Sequence, residues 1–178
     1  MQNNKKIRNA TQSKAGNLTF KSQLEKSIYN TLSEMGLNPL YEPITFELWG
    51  GFLPITPFYD KESDTQQAKR LQSGSTEKSK LLTLKTDKII GIRYTPDFYF
   101  KYGNLNVYIE AKGVENDVFY LKKKLFRKHL DDLFLKTGQY SIYFEIYTKK
   151  QLLQAVDIVK KYESTLSKNK GGATMFAT

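Results

Sequence analysis

The most regular pattern in the chain is an alternation of apolar and polar residues on both sides of Gly103-Asn104. This alternation predicts two β-strands, and Gly-Asn is a turn signal for a two-residue hairpin. In that register Tyr102 lies opposite Leu105, and Asp97 lies opposite Glu110. The expected core face carries apolar side chains from both strands: Phe98, Phe100, Tyr102, Leu105, Val107, Ile109 and Ala111. The other face carries Asp97, Tyr99, Lys101, Asn106, Tyr108, Glu110 and Lys112.

Helical periodicity marks three further segments of the chain. Residues 22–36 begin with a serine that is followed three residues later by a glutamate, which is a capping-box pattern. A long helix is expected from residue 116 or 117 to about 136, and an amphipathic helix over 149–166. Between these last two helices, residues 140–147 show an alternation of apolar and polar positions, which predicts a strand.

These elements predict one α/β domain over residues 21–166. Its core is expected to be a central mixed sheet of about four to five strands flanked by helices, with an extra C-terminal helix. Residues 1–20 are polar and basic, and we expect a flexible arm there. Residues 60–80 have almost no apolar content, which indicates an exposed loop or an insertion. Residues 167–178 are expected to form a disordered tail.

Composition agrees with a globular protein that binds a polyanion. The chain has 178 residues, 39% of them hydrophobic, which is enough for one domain with a core. It carries 28 basic and 18 acidic residues, a formal net charge of +10. Such an excess favours nucleic acid as the first candidate partner and an acidic membrane surface as the second.

Several classes of protein are excluded or made less probable by what the sequence lacks. It has no cysteine, so disulfides, zinc ribbons and thiol catalysis are excluded, and its single histidine excludes a His-rich metal site. It has no P-loop or GxGxxG motif, so we expect no nucleotide cofactor. No apolar run reaches membrane-spanning length and no signal-peptide pattern opens the chain. We therefore expect a cytoplasmic protein, neither secreted nor in a membrane.

The hairpin register places two acids and a lysine together. Opposite residues of an antiparallel pair have Cβ atoms roughly 5 Å apart, so the carboxylates of Asp97 and Glu110 would repel each other. A divalent cation would remove that repulsion, since carboxylate oxygens are ligands that Mg²⁺, Mn²⁺ and Ca²⁺ prefer. Lys112 lies on the same face as Glu110. This arrangement is typical of metal-assisted phosphodiester hydrolysis, and the alternative is a solvated face with incidental charges.

Two helix residues extend this candidate site. Glu25 lies at the margin of the apolar stripe of the first helix, so it is either a cap or an inward-facing acid near the site. Lys122 lies in the middle of the apolar stripe of the long helix. Its stem packs there while its ammonium group reaches solvent, or the ammonium group reaches the scissile phosphate.

The order of these motifs resembles the PD-(D/E)XK nuclease superfamily. A helix with a glutamate is followed by Pro96-Asp97, about a dozen residues, Glu110-Ala111-Lys112, a helix and a strand. The wider pattern is similar to small endonucleases of phages and prophages, and in layout to phage Holliday-junction resolvases and the nuclease subunit of some transposases. It covers residues 22–148 and consists of SQLEKSIYNTL, YEP, RYTPDF, IEAKG and LKKKLFRK. The resemblance implies a restriction-endonuclease-like αβββαβ core.

The resemblance also implies a role for each matching residue. Asp97 and Glu110 would bind Mg²⁺ or Mn²⁺ together with the backbone carbonyl of Ala111. Lys112 would orient and help deprotonate the attacking water, or stabilise the developing charge. Glu25 matches a helix acid beside the metal. Lys122 matches a polar position in reach of the site.

The implied function is a DNA endonuclease that uses metal-activated water. The phosphate backbone would be held by the basic arm and by the outer face of the long helix, which carries Lys123, Lys124, Arg127 and Lys128. No base-reading motif is evident, so we expect a structure-specific enzyme for Holliday junctions or branched DNA. Symmetric cutting of two strands would call for a homodimer. The alternatives are a nonspecific, transposase-type or restriction-type nuclease, a vestigial nucleic-acid-binding module, or an assembly factor.

Overall fold

The computed structural model of the chain describes residues 12–15, 18–113 and 117–169. The chain divides into two compact units. Unit 1 comprises Met1–Leu48 and Arg93–Thr178, and unit 2 is the intervening segment Trp49–Ile92. All candidate site residues belong to unit 1.

The described elements are ten strands and four helices. In chain order they are β1 (Ser13–Ala15), β2 (Leu18–Phe20), α1 (Gln23–Glu34), β3 (Leu40–Tyr41), β4 (Phe46–Trp49), β5 (Phe58–Lys61), α2 (Asp64–Gln72), β6 (Leu82–Lys85), β7 (Ile92–Tyr94), β8 (Phe98–Tyr102), β9 (Leu105–Ala111), α3 (Asp117–Thr137), β10 (Ser141–Ile146) and α4 (Lys149–Asn169). None of the helices in the described part of the chain combines the length and the apolar composition needed to cross a membrane.

The central sheet of unit 1 has four strands in the order β10, β9, β8, β3. Strand β10 runs parallel to β9, whereas β9 pairs with β8 and β8 with β3 in antiparallel fashion. The parallel pair is connected by α3, as a crossover between parallel strands requires. The prediction of an α/β fold with a mixed sheet flanked by helices is therefore confirmed for a four-stranded sheet.

The β8–β9 hairpin has the predicted register. Tyr102 pairs with Leu105, and the ladder continues to the pair formed by Phe98 and Ile109. Gly103 in the turn has a φ of +56°, in the left-handed region that glycine adopts at little cost. The turn sequence and the period-two pattern thus agree on one register, and it brings Asp97 and Glu110 to the same end of the hairpin.

Helices cover both faces of the sheet. On one face α1 and α4 pack against the strands and form the larger core, which includes Ile28, Leu32, Phe98, Val107, Ile109, Leu152 and Val156. On the other face α3 packs on a second, aromatic cluster of Tyr94, Tyr99, Tyr108, Phe119, Phe126 and Tyr143. The face that carries the acids is therefore not a solvated hairpin surface, because α3 lies over it.

The predicted boundary of the flexible arm needs correction. Strands β1 (Ser13–Ala15) and β2 (Leu18–Phe20) pair in antiparallel fashion instead of belonging to an arm over 1–20. Phe20 is completely buried and packs edge-on against Tyr41, with ring centroids 4.8 Å apart. The aromatic side chain at the end of a polar stretch thus packs into the core of unit 1. Residues 1–11 of the predicted arm lie outside the described residues.

At the other end of unit 1, α4 extends to Asn169, beyond the predicted end at residue 166. Part of the predicted tail, residues 167–169, is therefore helical. Residues 170–178 lie outside the described residues. The extra C-terminal helix itself was predicted, and its buried residues Leu152, Val156 and Val159 keep the expected spacing.

Unit 2 contains residues 60–80, for which the sequence predicts an exposed loop or an insertion. Strands β5 and β6 pair in antiparallel fashion, and α2 lies between them in the chain. Ser63 forms a capping box with Gln66 at the start of α2. Arg70 of α2 binds the buried Glu62 at 2.6 Å. Residues 60–80 are thus held by polar contacts, which an apolar periodicity does not reveal.

Candidate functional site

A cavity of about 550 Å³ lies in unit 1, where the N-terminal end of β8 meets the C-terminal end of β9. It contains four of the predicted site residues, contributed by the hairpin and by α3. The lining residues are Lys21, Glu42, Thr45, Arg93, Tyr94, Thr95, Asp97, Glu110, Lys112, Val118, Phe119 and Lys122. The structure therefore brings Asp97, Glu110, Lys112 and Lys122 together in one concave site.

Glu110 is the most enclosed of these residues, with 5% of its surface exposed. Lys112 donates a hydrogen bond from Nζ to Oε1 of Glu110 at 2.7 Å. The hydroxyl group of Tyr94 donates to Oε2 of the same carboxylate, also at 2.7 Å. The Lys112 ammonium group also lies 3.7 Å from the centroid of the Phe119 ring, which is a cation–π contact. Each oxygen of Glu110 thus has a fixed donor.

Asp97 faces the same cavity. The backbone N–H of Ala111 donates to its Oδ2 at 2.7 Å, which links the residue to the neighbouring strand. Burial, followed by the negative charge of Glu110, raises the pKa of Asp97 to about 8. Two carboxylates that share a desolvated site cannot both ionise at low cost. A divalent cation between them would reverse this effect.

Glu25 lies next to the cavity but does not line it. Its carboxylate accepts hydrogen bonds from the backbone N–H of Lys21 at 2.9 Å, from the hydroxyl of Ser22 at 2.9 Å and from the hydroxyl of Tyr41 at 2.6 Å. Its own backbone N–H donates to Ser22, the N-cap of α1. Glu25 is buried, and its charge is one of the smaller causes of the raised pKa of Asp97.

The basic residues of α3 fall into two groups. Lys122 lines the cavity, as the hypothesis of a phosphate contact requires. Lys123 instead forms an ion pair with Glu145 of β10 at 3.0 Å, in which the two side chains are 12% and 13% exposed. Arg127 binds the other oxygen of Glu145 at 3.0 Å, although its own side chain is 60% exposed. Lys123, predicted on the DNA-facing surface, is thus largely buried.

The two remaining candidates for DNA contact also have partners within α3. Lys128 forms an ion pair with Asp132, one turn further along the helix. The ammonium group of Lys124 lies 4.3 Å from the centroid of the Tyr120 ring. Both lysines remain exposed at the surface, where such contacts contribute little to stability.

Sequence reasoning missed four ionisable residues that line the cavity. Arg93 and Tyr94 lie within the RYTPDF pattern, whose Pro-Asp pair alone was interpreted. Glu42 lies in the YEP pattern. It has a φ of +45°, and its backbone N–H donates to the carbonyl of Asp97 at 2.8 Å. Lys21 forms an ion pair with Glu42 and has no sequence signal of its own.

The donor set at the cavity fits a hard divalent cation. In the described residues no group of three or more His, Cys, Asp or Glu side chains could hold a metal ion. Mg²⁺, however, commonly uses one or two carboxylates together with waters and substrate phosphates. Asp97 and Glu110 provide two carboxylates, and the resemblance adds the carbonyl of Ala111, so the residues present match that requirement.

Comparison of the chain with protein-family models, with curated proteins and with solved structures finds no match. A functional hypothesis for this chain therefore depends on its motifs and on the geometry of the cavity.

Proposed function

We propose that this protein is a Mg²⁺- or Mn²⁺-dependent DNA endonuclease. The observation that carries the proposal is the convergence of Asp97, Glu110 and Lys112 in one cavity at the open end of the β8–β9 hairpin. The central sheet of unit 1 receives three strands between α1 and α3, namely β3, β8 and β9, and then β10, and this order supports a restriction-endonuclease-like αβββαβ core.

Each residue has a chemical task in this proposal. Asp97 and Glu110, with the carbonyl of Ala111, would hold the metal ion, which lowers the pKa of bound water and neutralises charge on the phosphate. Lys112 is held by Glu110 and by the Phe119 ring. Its ammonium group can orient the attacking water or stabilise the developing negative charge.

The cations around the cavity indicate how a phosphodiester would be bound. Lys122 and the newly identified Lys21 and Arg93 lie at the same cavity as the two carboxylates. They would contact the phosphates next to the scissile bond, since such contacts position a nucleic acid without reading its sequence. A site without base-reading elements favours recognition of DNA shape, and hence a branched or four-way junction substrate. Symmetric cutting of a junction would use a homodimer.

The proposal is tested by cleavage of a substrate panel with Mg²⁺, with Mn²⁺ and with EDTA. The panel comprises a four-way junction, a flap, a duplex, a single strand and supercoiled plasmid. We expect metal-dependent cutting that is strongest on branched DNA. Asp97→Ala should abolish it, because one of the two carboxylate ligands is lost. Cutting that persists in Asp97→Ala contradicts the mechanism, and equal cutting of all substrates favours a nonspecific nuclease.

A matched pair of lysine variants tests the role of Lys112. Lys112→Met removes the ammonium group at the cavity, and we expect cleavage to fall by roughly 10²–10³-fold, the loss typical of one transition-state donor. Lys101→Met removes an exposed lysine of the same hairpin that does not line the cavity, and cleavage should be retained. If the wild-type protein binds DNA but neither it nor Lys101→Met cuts, the chain is a binding module with a vestigial site.

A further inference from the structure

We propose that Tyr94 and Tyr143 are positioning residues that hold the carboxylate of Glu110 in the orientation needed for metal binding. This inference rests on the proposed metal-dependent function and extends it to two residues that bear no metal-ligand chemistry of their own. Tyr94 is buried on the aromatic side of the sheet, and Tyr143 lies on β10, the strand next to Glu110.

The hydrogen bonds form a directed chain. The hydroxyl of Tyr94 donates to Oε2 of Glu110 at 2.7 Å, and it lies 3.0 Å from the hydroxyl of Tyr143. A phenol has a single hydrogen to donate. Because that of Tyr94 goes to Glu110, Tyr143 must be the donor in the contact between the two tyrosines. Each hydroxyl in the chain therefore reinforces the next.

Aromatic packing holds the two hydrogen-bonded tyrosines in place. The ring of Tyr94 lies 4.9 Å from that of Phe126 in α3, and the ring of Tyr143 lies 5.3 Å from the same phenylalanine. The ordinary pKa of a tyrosine is about 10, so both hydroxyls are protonated near neutral pH and can donate. The position of α3 is thereby coupled to the orientation of Glu110.

The carboxylate is consequently held from two sides. Lys112 occupies one lone-pair direction of Oε1 and Tyr94 one of Oε2. An ionised carboxylate has about four acceptor sites, so acceptor capacity remains for a cation. Groups that orient a metal ligand typically change metal affinity or activity by about 10–100-fold when they are removed.

Three tyrosine-to-phenylalanine variants separate positioning from packing. Tyr94→Phe removes the donor to Glu110, Tyr143→Phe removes the donor to Tyr94, and Tyr108→Phe is the control. Tyr108 belongs to the same buried cluster, with its ring 5.5 Å from Phe126, and it is not a hydrogen-bond donor to Glu110 among the described residues. Mn²⁺ affinity is measured by titration calorimetry, and folding by thermal melts in EDTA.

We expect Tyr94→Phe to weaken Mn²⁺ binding by about 10–100-fold, Tyr143→Phe to weaken it less, and Tyr108→Phe to leave it unchanged. Wild-type affinity in Tyr94→Phe, or an equal loss in Tyr108→Phe, overturns the inference. If Tyr94→Phe does not fold, the other two variants decide. The inference is then overturned if Tyr143→Phe binds Mn²⁺ as tightly as Tyr108→Phe does. A wild-type protein that binds no Mn²⁺ overturns the proposed function, and with it this inference.

Discussion

At the scale of single residues, the cavity is organised by the cost of placing two carboxylates in a poorly solvated space. The carboxylate of Glu110 accepts hydrogen bonds from Tyr94 and Lys112, whereas that of Asp97 accepts one from the backbone N–H of Ala111. Burial and the charge of Glu110 therefore raise the pKa of Asp97, so the folded protein holds the proton of this carboxyl group more tightly than an unfolded chain does. A divalent cation between the two carboxylates would offset the negative charge that raises the pKa of Asp97.

This proton makes the stability of the metal-free protein depend on pH. The pKa of Asp97 is raised from about 3.9 in an unfolded chain to about 8, so the folded state binds the proton more tightly. Its contribution to the free energy of unfolding is therefore largest at low pH and falls as the pH rises between about 4 and about 8. Asp97→Asn keeps an acceptor for the Ala111 N–H but cannot titrate.

Thermal melts in EDTA across that pH range provide the measurement. We expect the midpoint of the wild-type protein to fall relative to that of Asp97→Asn as the pH rises, and saturating Mn²⁺ to remove this difference in slope. Parallel curves for the two proteins would show that Asp97 does not hold a proton in the folded state.

At the scale of elements, the short β1–β2 hairpin attaches the N-terminal segment to the core. Phe20 contacts Tyr41 of β3, and the hydroxyl of Tyr41 donates to Glu25 at the start of α1. Strand β2 is therefore linked by packing to the start of α1, which lies next to the cavity. A segment that is polar in sequence can have this effect because one buried aromatic ring contributes several kcal/mol.

Phe20→Ala tests this attachment. We expect a loss of about 3–5 kcal/mol in the free energy of unfolding, measured by urea denaturation, because the substitution leaves a cavity at a fully buried site. Thr19→Ala, at an exposed position of the same strand, serves as the control and should change stability little. A flexible arm would give the same small change for both substitutions.

At the scale of the whole molecule, charge is unevenly divided between the two units. Trp49–Ile92 contains seven lysine and arginine residues and five aspartate and glutamate residues, so eight of the ten net positive charges lie in the rest of the chain. The unit that contains the cavity is thus the more basic one. A polyanion such as DNA should bind chiefly to unit 1.

The salt dependence of DNA binding measures this contribution. The logarithm of the association constant should fall linearly with the logarithm of salt concentration, by about 0.9 for each neutralised phosphate. Lys122→Ala should reduce the slope by about 1, since Lys122 lies at the cavity. Lys123→Ala should leave the slope unchanged, because Lys123 is buried against Glu145. Fluorescence anisotropy on a junction at several salt concentrations distinguishes the two, and equal slopes for both variants contradict this assignment.

The sequence by itself determined the features that depend on neighbours in the chain. The hairpin register followed from Gly103-Asn104 and a period of two, and the start of α1 followed from its capping residues. These signals are local, so they can be recognised without knowledge of the fold. The same register was enough to bring Asp97, Glu110 and Lys112 together at one end of the hairpin.

Only the tertiary structure decided which of the other charged and polar groups meet. Tyr94 and Tyr143 are 49 residues apart, and Lys123 and Glu145 are 22 apart. The first contact joins β7 to β10 and the second joins α3 to β10, so both depend on how these elements pack. Neither periodicity nor spacing encodes that packing, since it depends on how aromatic rings from separate elements fit together. The burial of Lys123 against Glu145 likewise has no signal in the sequence.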